Sequence, residues 1–386
     1  MKKKIKKSIK NANIILEDTV INNGSIIFSE KNALIEKVAP YNLEAGADVE
    51  VIDAKGAYLS PGLIDTHIHG AGGFDTMDAS TESLNEISKI MASHGVTSFL
   101  PTTMTMKRGK IQAALENIRQ FKKNGSAEGA QVLGTHVEGP FISPKYTGAQ
   151  NSKNLIEPEV ELLRDYYDIV EIVSLAPEIE GALELIEELH QNKITASAGH
   201  SAATYEEFQL AYQAGMNHFT HLYNAMTGLH HREPGLVGAA FDSEATVELI
   251  VDLIHHHQAV DRFTIKAKGV DKVILVSDAM EAAGLKAGEY ELGGQRVIVK
   301  EGAARLESGV LAGSVLTLDQ AVRNLMEITE LSLPEIFKMV TLNPARKLNL
   351  EHKLGRLKPG YQADLVLFDQ KFRVKKTIVK GREIIN

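Results

Sequence analysis

The residues best suited to chemistry in this 386-residue chain are histidines and carboxylates, because it contains no cysteine. Without Cys there is no disulfide framework, thiolate zinc site, cysteine nucleophile or iron–sulfur cluster, so any metal must sit on imidazole and carboxylate groups. His67 and His69 stand two residues apart in Asp65-Thr66-His67-Ile68-His69. Residues i and i+2 of a strand share a face, so this pair can clamp one ion. A lone His-x-His arises easily by chance. What lifts this one above chance is its company: Glu138, His200, His221, His255 and Asp278 also fall at or near the C-terminal ends of different apolar runs. Buried polar groups need partners, and a metal cluster supplies them at once. Four histidines (His67, His69, His200, His221) with a bridging Glu138 suit Zn²⁺ or Fe²⁺, whereas Ca²⁺ or Mg²⁺ would call for an oxygen-only shell. Asp278 is open to three roles: metal ligand, strand-end helix cap, or general base beside the metal.

The elements that must position these groups follow from hydrophobic periodicity. Eight apolar, β-rich runs are visible: Tyr58 to His69, Val96 to Pro101, Val132 to Glu138, Ile169 to Pro177, Ile194 to His200, His218 to Asn224, Val247 to His255 and Val273 to Asp278. Stretches with 3.6-residue spacing lie between most of them, including Leu84 to Ser93, Ile111 to Lys122, Ala182 to His190 and Tyr205 to Ala214. This alternation predicts an α/β fold closed as a (β/α)8 barrel, with its site at the C-terminal edge of the strands. A doubly wound open sheet is the runner-up, but no strand feeds a G-x-G-x-x-G turn. Residues 1–55 and 355–386 carry strand and hairpin patterning, and neither segment has enough apolar residues to bury a core alone. They are expected to pair as one small β-sandwich domain beside a catalytic barrel spanning 56–354.

Composition closes off other classes. Hydrophobic residues make up 44% and charged residues 24%, which excludes disorder over most of the length. Forty-two basic against fifty acidic residues give a net charge of −8, which offers no attraction for nucleic acid. No run reaches the roughly 18 apolar residues of a spanning helix. The opening MKKKIKKSIK is followed by Asn11, Asn13, Glu17 and Asp18, which interrupt any signal-peptide core, so a cytoplasmic location is expected. The basic run Lys2 to Lys10 reads as a solvated, poorly ordered terminus.

Longer motifs carry a family resemblance. Pro61-Gly62-Leu63-Ile64-Asp65-Thr66-His67-Ile68-His69-Gly70 resembles the opening barrel strand of the amidohydrolase superfamily. His136-Val137-Glu138-Gly139-Pro140-Phe141, Ala198-Gly199-His200, Thr220-His221-Leu222-Tyr223-Asn224-Ala225-Met226, Ser277-Asp278-Ala279 and Leu311-Ala312-Gly313-Ser314 are similar, in the same order, to the motifs of N-acetylglucosamine-6-phosphate deacetylases. The resemblance runs from about Tyr58 to the C-terminus, and Glu-Gly-Pro-Phe stands where many superfamily members have a carbamylated lysine. It implies that Glu138, His200 and His221 hold the metal found throughout the family and that Asp278 is the catalytic acid and base. Some members have Gln-x-Asn in place of His67 and His69 and hold one metal, so the intact pair implies a second, bridged by Glu138, giving two Zn or Fe ions per subunit. Substrate contacts map onto Ala149, Gln150, Asn224, Ala225, Arg232, Asp252, His255, Leu311, Ala312 and Gly313. Arg232 would grip the phosphate, in its own site or a neighbouring subunit's, and the family implies a homodimer.

One departure stands out, because many members read Gly-Ala-His where this chain has Gly148-Ala149-Gln150. That histidine helps polarise the acetyl carbonyl; Gln150 can donate a hydrogen bond but cannot carry a charge, leaving the oxyanion more dependent on metal. In the histidine runs His230-His231 and His255-His256-His257, only His255 is in register with the family's substrate-binding histidine, and the other four are expected in surface or loop roles. The implied reaction converts N-acetylglucosamine 6-phosphate to glucosamine 6-phosphate and acetate. Two alternatives are deacetylation of N-acetylgalactosamine 6-phosphate and a non-catalytic scaffold of the same fold. The presence of His67, His69, Glu138, His200, His221 and Asp278 together argues against the scaffold.

Overall fold

The computed structural model describes residues 6–44, 46, 48–125 and 128–384. Eight parallel strands form the barrel: β1 (Leu63–Ile68), β2 (Val96–Thr103), β3 (Thr135–Glu138), β4 (Val170–Leu175), β5 (Thr195–Ala198), β6 (His218–Phe219), β7 (Thr246–Leu249) and β8 (Val273–Leu275). Every residue of β1, β2, β3 and β8 is buried, because helices cover the outside while side chains fill the inside. The seam between β8 and β1 closes just beyond β8, through a parallel bridge from Ile68 to Ala279 and a 2.9 Å bond from Asp278 N to the His67 carbonyl. The buried Asp65 carboxylate staples the same seam by accepting from the amides of Ser277 and His67, both at 3.3 Å.

The periodic segments form helices close to where their spacing places them. Thr81–Ser93 is capped by Ser80, whose side chain accepts from the Ser83 amide, and it buries Leu84, Ile87 and Met91. Tyr205–Gln213 starts on a Thr204–Glu207 capping box, and Arg108–Asn124 and Ala182–Gln191 bury their apolar stripes likewise. Between β3 and β4 the described residues form only short 3₁₀ turns at Ser152–Asn154, Val160–Leu162 and Arg164–Tyr166. No helix among the described residues is long and apolar enough to cross a membrane.

The chain ends meet as their patterning predicts. The expected β-sandwich takes the form of one mixed sheet of eight strands. Leu365–Phe368 pairs antiparallel with Tyr58–Pro61, which pairs in parallel with Lys6–Ile15. Ile9, Ile14, Phe28, Leu59, Leu365 and Ile378 form an apolar cluster of their own there.

Four sequence expectations need correction. Tyr58 to His69 is two strands: Tyr58–Pro61 lies in the terminal sheet and β1 in the barrel, parted at Gly62. A Cβ on Gly62 would lie 2.0 Å from Thr97 Oγ1, so the chain passes between the two layers only because no side chain is there. Other runs are shorter than their hydrophobicity suggests, β6 having just two residues, because apolar character continues into the buried loops at the barrel mouth. Of the basic run, residues 2–5 lie outside the described residues, and the rest is ordered: Lys6 opens a paired strand and bonds Glu36 at 2.8 Å, and Lys7 is buried. Finally, an antiparallel meander of Gly288–Leu292, Gln295–Lys300 and Ala303–Leu306 follows β8, where the sequence reading assigned no strands.

The tightness at Gly62 yields a test. Gly62→Ala should destabilise the fold by about 1–3 kcal/mol through overpacking, and Thr97→Ala in the same chain should recover part of the loss. Denaturant melts of the two single variants and the double variant measure the coupling; purely additive effects would contradict the contact.

Candidate active site

Each site group sits where a barrel strand ends. Glu138 is the last residue of β3, and His69 follows β1 by one residue. His200, His221 and Asp278 follow β5, β6 and β8, and all three have left-handed backbones, with φ of 49°, 31° and 48°. Such conformations cost a non-glycine residue on the order of 1–3 kcal/mol and persist where the surroundings over-determine them. Here they turn the chain sharply at the strand ends, where its polar side chains converge.

The groups converge on Glu138. Its Oε1 lies 3.0 Å from His221 Nε2, 3.3 Å from His200 Nε2 and 3.4 Å from His67 Nε2, and its Oε2 lies 3.3 Å from His69 Nε2. Asp278 Oδ1 lies 3.2 Å from His69 Nε2 and 3.4 Å from His67 Nε2. Burial opposes ionisation of Glu138, yet His67, His200, His221 and His69 together hold it well below the usual carboxylate range. Burial likewise disfavours charge on His67, but Glu248, Asp278 and Glu138 outweigh it and push the imidazole up to about 9. Burial and the neighbouring His67 push His136 down to about 3, so this ring is neutral.

The donor set fits divalent metal. His67, His69 and Glu138 form one group, and Glu138, His200 and His221 another, with ligand atoms within 4.8 Å of one another in each. His67 Nε2 is buried beside two carboxylates and makes no hydrogen bond, and the Nε2 atoms of His200 and His221 face each other at 3.0 Å. His69 Nδ1 donates to the Thr102 carbonyl and His200 Nδ1 to the Tyr146 carbonyl, since a carbonyl can only accept, which leaves both Nε2 lone pairs free for a metal. Imidazole with carboxylate suits Zn²⁺ or Fe²⁺.

An open cleft of about 570 Å³ leads to this cluster. Of the expected substrate contacts, Ala149, Gln150, Asn224, Ala225, His255, Leu311 and Gly313 line it. Three do not. Ala312 is buried behind its neighbours, its amide bonded to the Ala304 carbonyl. Asp252 accepts from His255 Nδ1 at 2.7 Å and from the amides of Ile254 and His255, so it orients the ring that faces the cleft. Arg232 is exposed in a loop, where its guanidinium donates to His231 at 2.8 Å.

Two more expectations change. Gln150 is committed at both ends: Oε1 accepts from the Thr105 amide at 2.7 Å, so Nε2 faces Glu138 Oε2 at 2.5 Å. Its amide therefore steadies the shared carboxylate instead of waiting for an oxyanion. His256 lies in a loop, one of the two settings expected for it, but is buried there, bonded to Asp261 and Asn224, while His257 caps Gln258–Lys268 and His230 and His231 are exposed.

The sequence reading missed Glu248, His218 and Gln295. Glu248 is a fully buried carboxylate within the apolar strand β7, and that incongruity was the available signal. Gln295, on the meander, donates to the Ala149 carbonyl at 2.6 Å and nothing in its surroundings marked it.

A parallel barrel with four imidazoles and two carboxylates at its C-terminal mouth defines a metal-dependent amidohydrolase, and residues 58–384 match the amidohydrolase family. The chain belongs to that family, and within it to the N-acetylglucosamine-6-phosphate deacetylases. It is 42% identical over 359 residues to the N-acetylglucosamine-6-phosphate deacetylase of Lysinibacillus sphaericus, covering 91% of each chain. It is 41% identical to the N-acetylgalactosamine-6-phosphate deacetylase of Escherichia coli O157:H7, covering 86% of this chain and 89% of that one. The crystal structure of N-acetylglucosamine-6-phosphate deacetylase from Pasteurella multocida superposes with a TM-score of 0.93 at 30% identity, covering 99% of this chain and 100% of that one.

Removing divalent metal with a chelator should lower the melting temperature and abolish turnover, and re-addition should restore both. At free metal 100-fold above Kd, mass action alone contributes about 2.7 kcal/mol. An unchanged melting curve would refute binding by this cluster.

Proposed function

We propose that this protein hydrolyses the N-acetyl group of N-acetyl-D-glucosamine 6-phosphate, releasing acetate and D-glucosamine 6-phosphate. The observation that carries this reading is the convergence of His67, His69, Glu138, His200, His221 and Asp278 at the floor of one cleft, in a chain 42% identical to an enzyme of that name. In the proposed site His67, His69 and Glu138 would hold one ion, and Glu138, His200 and His221 a second. Bound Zn²⁺ or Fe²⁺ supplies Lewis acidity, which activates water and polarises the amide carbonyl.

The chain's own groups do the rest. Asp278 lines the cleft beside Glu138 and His69, with the Nε2 atoms of His69 and His67 at 3.2 Å and 3.4 Å from its Oδ1. Burial opposes its charge, but His67 and His69 keep it ionised, so it accepts the proton of attacking water. It then passes that proton to the sugar nitrogen, which must leave protonated because an amide anion is too basic to expel. Asn224 has its amide nitrogen committed to the carbonyls of His221 and Leu222 and to His256, which leaves its oxygen for a sugar hydroxyl.

Among the described residues lining the cleft there is no Lys or Arg. We infer that Arg232, exposed and with its guanidinium donating to the neighbouring His231, reaches the phosphate of the neighbouring subunit's site in a homodimer. The proposed setting is the cytoplasm. The 41% identity to a galactosamine-type deacetylase favours a second reading, the same reaction on N-acetylgalactosamine 6-phosphate. Catalytic efficiencies on the two sugars decide between them, and no acetate from either would defeat both.

Asp278→Asn should retain metal and substrate binding but lose about 10²–10⁴-fold in kcat, the usual contribution of a general acid–base group; near-normal turnover would show that Asp278 does not carry the proton. Arg232→Ala should lower kcat/KM for the 6-phosphorylated sugar far more than for unphosphorylated N-acetylglucosamine. An equal drop for both, or none, would mean that Arg232 does not read the phosphate.

A further inference from the structure

Beneath the cluster, in the barrel interior, lies a carboxylate that the proposed reaction does not use. Glu248 on β7 has no solvent exposure, and no Lys or Arg among the described residues pairs with it. Its Oε2 accepts from His67 Nδ1 at 2.9 Å and from the His221 amide at 3.1 Å. Its Oε1 lies 3.4 Å from His218 Nε2. One side chain thus touches a histidine from each half of the metal cluster, holding one by its ring and the other by its backbone.

Glu248 is not arranged as a ligand itself. His67, His136 and Glu248 lie close enough to suggest a third metal group. However, His136 has both ring nitrogens committed, Nδ1 to the Thr66 carbonyl at 3.1 Å and Nε2 to Ser174 Oγ at 2.6 Å. His67 Nδ1 is engaged by Glu248 as well, so no lone pair is left there for an ion.

The bond to His67 has a directional consequence. A carboxylate only accepts, so Nδ1 of His67 keeps its proton against Glu248, and Nε2, facing Glu138 and Asp278 at 3.4 Å each, is the nitrogen that would serve as metal donor. His69 and His200 obtain the same tautomer from neutral backbone carbonyls. Only His67 obtains it from a carboxylate, and a charged acceptor raises the basicity of the opposite ring nitrogen more than a carbonyl does.

We propose that Glu248 is a positioning residue for metal binding: it fixes His67 as the Nε2 donor, strengthens it as a ligand, and anchors the His221 backbone in the same register. The proposal rests on the reading of His67 as a metal ligand. It predicts that the ion held by His67 and His69 depends on Glu248 far more than the ion held by His200 and His221, because only the first loses a charge-assisted partner on its ligand ring.

The test is a Zn²⁺ titration of metal-free full-length protein against a chromophoric chelator, comparing wild type with Glu248→Gln and Glu248→Ala. Gln keeps an acceptor and removes the charge, while Ala removes both. One equivalent should weaken by about 10-fold in the Gln variant and toward 100-fold in the Ala variant, with the other equivalent weakened far less. A melting curve of each metal-free protein reports folding, and if the Ala variant does not fold the Gln variant decides. Equal affinity in variant and wild type overturns the proposal, as does equal weakening of both equivalents, the signature of a merely structural residue. The number of ions bound by wild type judges the two-metal reading separately. If wild type binds one ion, His67→Ala shows whether His67 holds it: where that variant loses the ion, weakening by Glu248→Gln supports the proposal and no weakening overturns it, and where that variant keeps the ion, the proposal falls.

Discussion

A carboxylate taken out of water must be repaid by nearby positive charge or hydrogen bonds, and Glu138, only 2% exposed, is repaid by four imidazoles from three strand ends and by the Gln150 amide. That arrangement constrains the rest of the barrel mouth. If any of β1, β5 or β6 shifted by one residue, a histidine would turn to the opposite face and the carboxylate would lose a partner. The strands' shared register and the left-handed residues that end them serve one geometry.

Barrel closure is part of that geometry. β1 and β8 are joined by few backbone bonds, and the seam is completed by residues of the site itself: the Asp278 amide bonds the His67 carbonyl, and the His69 amide bonds the Ala279 carbonyl at 2.9 Å. Asp65 reinforces the same joint from within the barrel. Burial raises its carboxyl to about 7, with hydrogen bonds from Ser277 and His67 working the other way. The site and the closure of the fold are therefore one structure, so His67, His69 and Asp278 are held by the barrel's own hydrogen bonds before any ion or substrate arrives.

Outside the barrel, two additions shape access. The terminal sheet carries its own apolar cluster and reaches the barrel through the strand pair Tyr58–Pro61 and Leu365–Phe368, which leads through Gly62 directly into β1. The meander after β8 brings Leu292 to the cleft wall and ties Gln295 to Ala149 on the opposite loop. Loops set on a rigid barrel can thus narrow the mouth without disturbing the strand ends beneath.

The chemistry, the eight-strand barrel and the pairing of the chain ends were legible in the residues, because hydrophobic period and residue type are local properties. A histidine or carboxylate ending an apolar run is conspicuous wherever the fold puts it. Tertiary structure alone decided which groups share an acceptor. His67 and Glu248 are 181 residues apart, and the orientation of Gln150 depends on the Thr105 amide 45 residues away. It also decided that Gly62 would divide one apolar run between two sheets, since the obstruction is Thr97 on the neighbouring strand. Arg232, expected to grip a phosphate in its own or a neighbouring subunit's site, sits in an exposed loop outside the lining of this chain's cleft, because the direction of a loop follows from what it packs against and its sequence states only its composition. Hydrogen bonds and steric exclusion between distant segments exist only once the chain has closed, and for that reason the histidines and carboxylates that cluster could be read from the sequence while what holds them in place could not.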